Sequence, residues 1–157
     1  ISSVDHLVIA EIQVAGDARS NSYVRIFNPT AEAVDIGGWK LRKKSSTGKE
    51  YPIKTFAKGS SIAPGGYFTW ANSKGGFAGS NGADASSAER LAGNSSVALF
   101  DAGGAMVDAV AWGTGADQFV EGSAYPDNPA AHQVLARKSA NGAFVDTENN
   151  ASDFRIQ

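Results

Sequence analysis

Apolar residues in this chain fall in short alternating runs. None keeps the i, i+3, i+4, i+7 spacing of an amphipathic helix over ten or more positions. β-Branched and aromatic runs separated by Gly, Pro, Asn and Asp predict strands over Leu7–Val14, Tyr23–Phe27, Trp39–Lys44, Tyr67–Asn72, Val97–Phe100, Val107–Trp112 and Gln133–Lys138. A short last strand is expected over Asp153–Ile156. In the second run Val24 and Ile26 share one face and Tyr23, Arg25 and Phe27 the other. The third sets Trp39, Leu41 and Lys43 against Lys40, Arg42 and Lys44, one largely apolar face and one wholly basic.

The punctuation supports this reading. Asn28-Pro29-Thr30 ends a strand, because Pro has no N–H for the ladder. Gly37-Gly38, Pro64-Gly65-Gly66 and Gly103-Gly104 stand where turns need positive φ. The segment 73–96 is rich in Gly, Ser and Ala and shows no strand signal, so it reads as a long surface loop. Within it Ala83–Leu91 offers at most one or two helical turns. The chain is expected to be all-β, a sandwich of about seven to nine mostly antiparallel strands. At 157 residues it reads as a single domain over 1–157, large enough to bury a core without staples.

Composition then narrows the chemistry. With no Cys, disulfides, thiolate metal sites and cysteine nucleophiles are excluded. No apolar run approaches the roughly 20 residues that span a bilayer as a helix, so no membrane insertion is expected. A net charge of −2 argues against a generally basic nucleic-acid binder. The chain begins at Ile1 rather than Met, which reads as a fragment or a processed form.

Catalytic motifs are scarce. There is no G-x-S-x-G, and Gly113-Thr114-Gly115 meets Gln118 where a dinucleotide fingerprint needs its third Gly. His6 and His132 start separate strands and read as solvent-edge residues. Glu11, Asp35, Asp101 and Asp108 read as turn caps or solvent-facing groups rather than an acid–base pair. No enzyme activity and no cofactor are expected.

Charge placement says more than total charge. Seven of the fourteen Lys and Arg fall between Lys40 and Lys58, opposed by Glu50 alone. Lys40, Arg42 and Lys44 on one strand face stand about 7 Å apart, near the spacing of successive phosphates. With Lys43 they form a candidate stripe for DNA or another polyanion. A charged solvent face that discourages edge pairing explains the same residues. Between Asp146 and Asp153, Asp146, Glu148, Asn150 and Asp153 are weak calcium candidates, because Ca²⁺ takes six to eight oxygens. The spacing is not that of an EF-hand, and Asx-turns account for the same residues.

The ordered set of motifs resembles the lamin-tail domain family. The matching pieces are Ala10-Glu11-Ile12, Val24-Arg25-Ile26-Phe27-Asn28-Pro29-Thr30, Val34-Asp35-Ile36-Gly37-Gly38-Trp39-Lys40-Leu41, Ile62-Ala63-Pro64-Gly65-Gly66-Tyr67, and Val107 to Trp112 with Asp108. The close, Arg137-Lys138 with Asp146-Thr147 and Asn150-Ala151-Ser152-Asp153-Phe154, resembles the bacterial branch. Arg25 departs from the pattern, standing where the family usually carries Glu. The resemblance implies an immunoglobulin-like sandwich that binds rather than catalyses, beside hydrolase domains in exported or cell-surface bacterial proteins.

Two functions follow as expectations. One is an interaction module binding nucleic acid through Lys40, Arg42, Lys43 and Lys44. The other is a docking scaffold for a protein partner or neighbouring hydrolase domain, without polyanion affinity. Carbohydrate binding would need Trp70, Trp112 or Tyr125 to face solvent.

Overall fold

The computed structural model describes residues 5–157. Its first seven strands are β1 (Val8–Gln13), β2 (Tyr23–Phe27), β3 (Val34–Asp35), β4 (Lys40–Lys44), β5 (Glu50–Thr55), β6 (Ser61–Ile62) and β7 (Tyr67–Asn72). A short 3₁₀ turn and helix α1 (Phe77–Asn81) lead into β8 (Ala85–Ser87). There follow β9 (Ser96–Phe100), β10 (Met106–Ala111), β11 (Val134–Arg137), β12 (Ser139–Ala140) and β13 (Ala143–Phe144). Helix α2 (Asn150–Asp153) runs directly into β14 (Phe154–Ile156).

Two sheets make the sandwich. One has six strands in the order β14-β11-β1-β2-β7-β8, and the other four in the order β10-β9-β4-β5. Every pairing in them is antiparallel except β7 with β8. This is the expected immunoglobulin-like β-sandwich. Its core joins Ile9, Ile12, Val24, Ile26 and Trp70 of the larger sheet to Leu41, Ile53, Val97, Leu99 and Val110 of the smaller. In β2 the alternation is as read from sequence, Val24 and Ile26 inward and Tyr23, Arg25 and Phe27 half-buried. Ile9 and Ile12 lie three apart yet both reach the core. The β1–β2 register slips between Ile9 and Glu11, and a bulge there exchanges the faces.

The structure corrects three readings. Segment 73–96 holds a strand: β8 adds in parallel to the edge of β7, and Ala83–Leu91 contributes no helix. Polar anchors hold it. Trp70 Nε1 donates to Ser87 Oγ at 3.0 Å, and that hydroxyl donates to Ile53 O at 2.8 Å. The strand β5 gave no signal because Pro52 and its charges hide it, but at a sheet edge Pro is tolerated. Trp70 and Trp112 are fully buried, and Tyr125 packs half-buried against the core, so these three offer no platform to a sugar.

Candidate functional surfaces

The basic strand has the faces expected of it and a different electrostatic setting. Lys40, Arg42 and Lys44 lie opposite Phe100, Ala98 and Ser96 of β9, while Leu41 and Lys43 lie opposite Leu99 and Val97. The row of three is therefore real, and Lys43 stands on the inner face at the sandwich margin. Carboxylates meet most of these cations. Arg42 Nε donates to Glu50 Oε2. Lys43 Nζ is 3.1 Å from Glu89 Oε1 and donates to Arg90 O at 2.6 Å. Lys44 Nζ lies 4.0 Å from Asp117 Oδ2 and 4.7 Å from the centre of the Phe119 ring. Phe119 packs with Ala98 and Ala109 on the outer face of the smaller sheet, so the loop after β10 covers that end of the row. Among the described residues, Lys40 alone of the four has no ion pair.

The four calcium candidates do not converge on one site. Asn150 is fully buried and serves the fold. Its Oδ1 accepts from Ala111 N and Glu121 N, and its Nδ2 donates to Ala109 O. Asp153, equally buried, accepts from Thr147 N at 2.8 Å and Thr147 Oγ1 at 2.6 Å. Asn149, rather than either of them, caps α2 through Ser152 N. Asp146 and Glu148 instead approach His6, with donor atoms of all three within 4.8 Å of one another.

Beneath them lies a buried charge cluster. Arg137 and Asp108 are both without exposed side-chain surface, and Arg137 Nη2 donates to Asp108 Oδ2 at 2.7 Å. The same carboxylate oxygen accepts from Ile9 N at 2.7 Å. Arg137 Nε donates to Ile9 O, and its Nη1 to Val145 O, with Asp146 and Asp153 at 3.7 and 3.8 Å. Asp108 was expected at the surface. The valine–alanine alternation of β10 hid that it faces Arg137 across the sandwich.

Burial raises the Asp108 carboxyl against the pull of Arg137. Burial, then the charges of Asp108 and Asp146, push Glu121 up to about 9. His6 is raised to about 9 by its contact with Asp146, which outweighs its own desolvation. The same contact lowers the Asp146 carboxyl. His6 is thus half-buried and engaged, whereas His132 is the expected solvent-edge residue, its Nε2 2.9 Å from Asp17 Oδ1.

On the larger sheet an open groove of ≈ 420 Å³ is lined by Phe27, Pro29, Tyr67 and Phe144, with Gly65 and Gly142 on its rim. Phe27 sits between Tyr67, tilted by 49°, and Phe144, edge-on at 69°, with ring centres 4.9 and 5.0 Å away. Tyr67 is 42% exposed, and the Arg25 guanidinium lies 4.1 Å above its ring. Arg25, the residue that departs from the family pattern, pairs with Glu11 on the neighbouring strand at 2.9 Å. The alternation of β2 and β7 could have found this face, because Tyr23, Arg25, Phe27 and Tyr67 all point away from the core positions.

Among the described residues no helix is long and apolar enough to cross a membrane. In comparison with protein families, residues 1–114 match the model of the Lamin Tail Domain. No curated protein matches the chain. The match spans β1 to β10 and leaves Arg137, Asp146 and Asp153 beyond it.

Proposed function

The chain belongs to the lamin tail domain family, and we propose that it works as a non-catalytic interaction module that docks a protein segment rather than a polyanion. One observation carries this reading: Arg42, Lys43 and Lys44 each already face a carboxylate. A phosphate backbone gains affinity by releasing counterions from unneutralised cations, and here internal anions have taken that place. The exposed aromatic groove of Phe27, Tyr67 and Phe144 is a better anchor. Aromatic-lined grooves accept extended apolar or proline-containing segments, and the open space over Gly65 and Gly142 lets a partner backbone come close.

A specific observation favours polyanion binding as the second reading. Lys40, Lys49, Lys54 and Lys58 have no ion pair among the described residues. Fluorescence anisotropy of labelled DNA at about 50 and 200 mM salt, set beside selection from a displayed peptide library, separates the two. Peptides that bind the chain and are lost with Tyr67→Ser support the docking module. DNA binding that falls at least tenfold over that salt range, with no peptide selected, replaces it with the polyanion reading.

A further inference from the structure

Where the buried charge cluster meets solvent, an imidazole and two carboxylates converge: His6, Asp146 and Glu148. His6 Nδ1 lies 2.8 Å from Leu7 O, and since a carbonyl only accepts, Nδ1 carries a proton and donates it. In the neutral ring that leaves the lone pair on Nε2, which faces Asp146 Oδ2 at 3.2 Å. Metal-ligating histidines characteristically spend their second ring N–H on a backbone carbonyl in this way.

Asp146 turns one oxygen to the buried cluster and the other to His6. Its Oδ1 accepts from Glu148 N at 3.2 Å and has Arg137 Nη1 at 3.7 Å. Its Oδ2, on a side chain only 2% exposed, has no hydrogen-bond donor beside it other than the His6 ring nitrogen. Glu121 Oε1 is also buried without a donor, and oxygens of Asp108, Glu121 and Asp146 lie within 4.8 Å of one another. A buried carboxylate oxygen short of donors is costly unless a positive charge joins it.

We infer that the structure holds a divalent-cation site whose protein ligands are His6 Nε2, Asp146 and Glu148, open to water on the exposed Glu148 side. Ligands about 2.1 Å from a shared ion stand roughly 3 Å apart when adjacent, which the His6–Asp146 approach matches. One imidazole among carboxylates suits Zn²⁺ or Mn²⁺ better than Mg²⁺ or Ca²⁺, which prefer oxygen alone. Arg137 does not compete for the position, because it lies on the Oδ1 side and is anchored to Asp108. The site keeps Asp146 and Glu148 of the calcium expectation and puts His6 in place of Asn150 and Asp153. It stands independently of the docking reading.

The chain, stripped with chelator, is titrated with MnCl₂, ZnCl₂, MgCl₂ and CaCl₂ while Tm is followed. A Tm that climbs with the logarithm of Mn²⁺ or Zn²⁺ concentration, and not with Mg²⁺ or Ca²⁺, is expected. His6 and His132 are the only two histidines. Substoichiometric Mn²⁺ should therefore broaden the ring resonances of His6 in proton NMR before those of His132. Loss of a ligand in Glu148→Gln, an exposed residue whose change spares the core, or in His6→Ala should weaken binding by more than the roughly 10–100-fold of an outer-shell change. No Tm response to either ion, equal broadening of both histidines, or a response unchanged in Glu148→Gln and His6→Ala each overturns the inference. Then His6 and Asp146 form an imidazolium–carboxylate pair only.

Discussion

Arg137 Nη2 lies 2.7 Å from Asp108 Oδ2 with neither side chain exposed, so a pair from β11 and β10 ties the two sheets together inside the sandwich. The pair is complete, since Ile9 supplies both an N–H to Asp108 and a carbonyl to Arg137. Breaking one side leaves a buried charge unpaired. Arg137→Met alone should cost about 3–5 kcal/mol, measured as a shift of the urea midpoint. The double variant Arg137→Met with Asp108→Leu should recover part of that loss, because it removes the Asp108 charge as well, and only part, because Asp146 and Asp153 still lose their nearby cation. A double variant as unstable as the sum of the singles would show that the two residues act separately.

The sandwich was legible because its central strands alternate cleanly, as in Val24 and Ile26 against Arg25 and Phe27. What escaped was held by long-range polar contacts rather than by pattern. β8 has no apolar alternation and is held by polar contacts, with Ser87 joining Trp70 to Ile53 and Asp84 bonded to Thr69. The basic row was visible in sequence, but its neutralisation was not. Glu89 and Asp117 come to Lys43 and Lys44 from loops far along the chain, and no local spacing encodes that. Likewise the acidic run near the C-terminus was visible, while its meeting with His6 depends on sheet order.

Stability should depend on pH through groups in the same cluster. Glu121 moves from 4.5 to about 9, and His6 from 6.5 to about 9, so the folded chain holds more protons than the unfolded one in between. Both contributions are fully present below the unfolded values and are lost as pH rises through about 9. In chelator, Tm should therefore fall from about pH 5 toward pH 9. Asp146, lowered by His6, acts oppositely and removes stability only in acid. Glu121→Gln should flatten the descent, and an unchanged slope would place its origin elsewhere.

If internal carboxylates are what silence the basic strand, removing them should uncover it. The triple variant Glu50→Gln, Glu89→Gln, Asp117→Asn leaves all seven cations between Lys40 and Lys58 in place. Each such pair is partly exposed and is worth about 0–1 kcal/mol, so the fold should tolerate the change. Labelled DNA should then bind the variant more tightly than the parent at low salt, with a steeper loss on adding salt. Equal affinity of the two would mean that those carboxylates do not control the strand.

Within the segment 73–96, one side chain ties β8 to two other strands. Ser87 Oγ accepts from Trp70 Nε1 and donates to Ile53 O, linking β7, β8 and β5 through one hydroxyl. The Trp70 ring is fully buried, so Ser87→Ala leaves its N–H without a partner at a cost of about 1–3 kcal/mol. The loss should be local before it is global. β8 is an edge strand three residues long, so its release costs little of the core. Hydrogen exchange at Ala85, Ser86 and Ser87 should speed up well before exchange in β2 does. If Ser87→Ala accelerates both equally, the hydroxyl supports the whole sandwich and β8 is part of its cooperative unit.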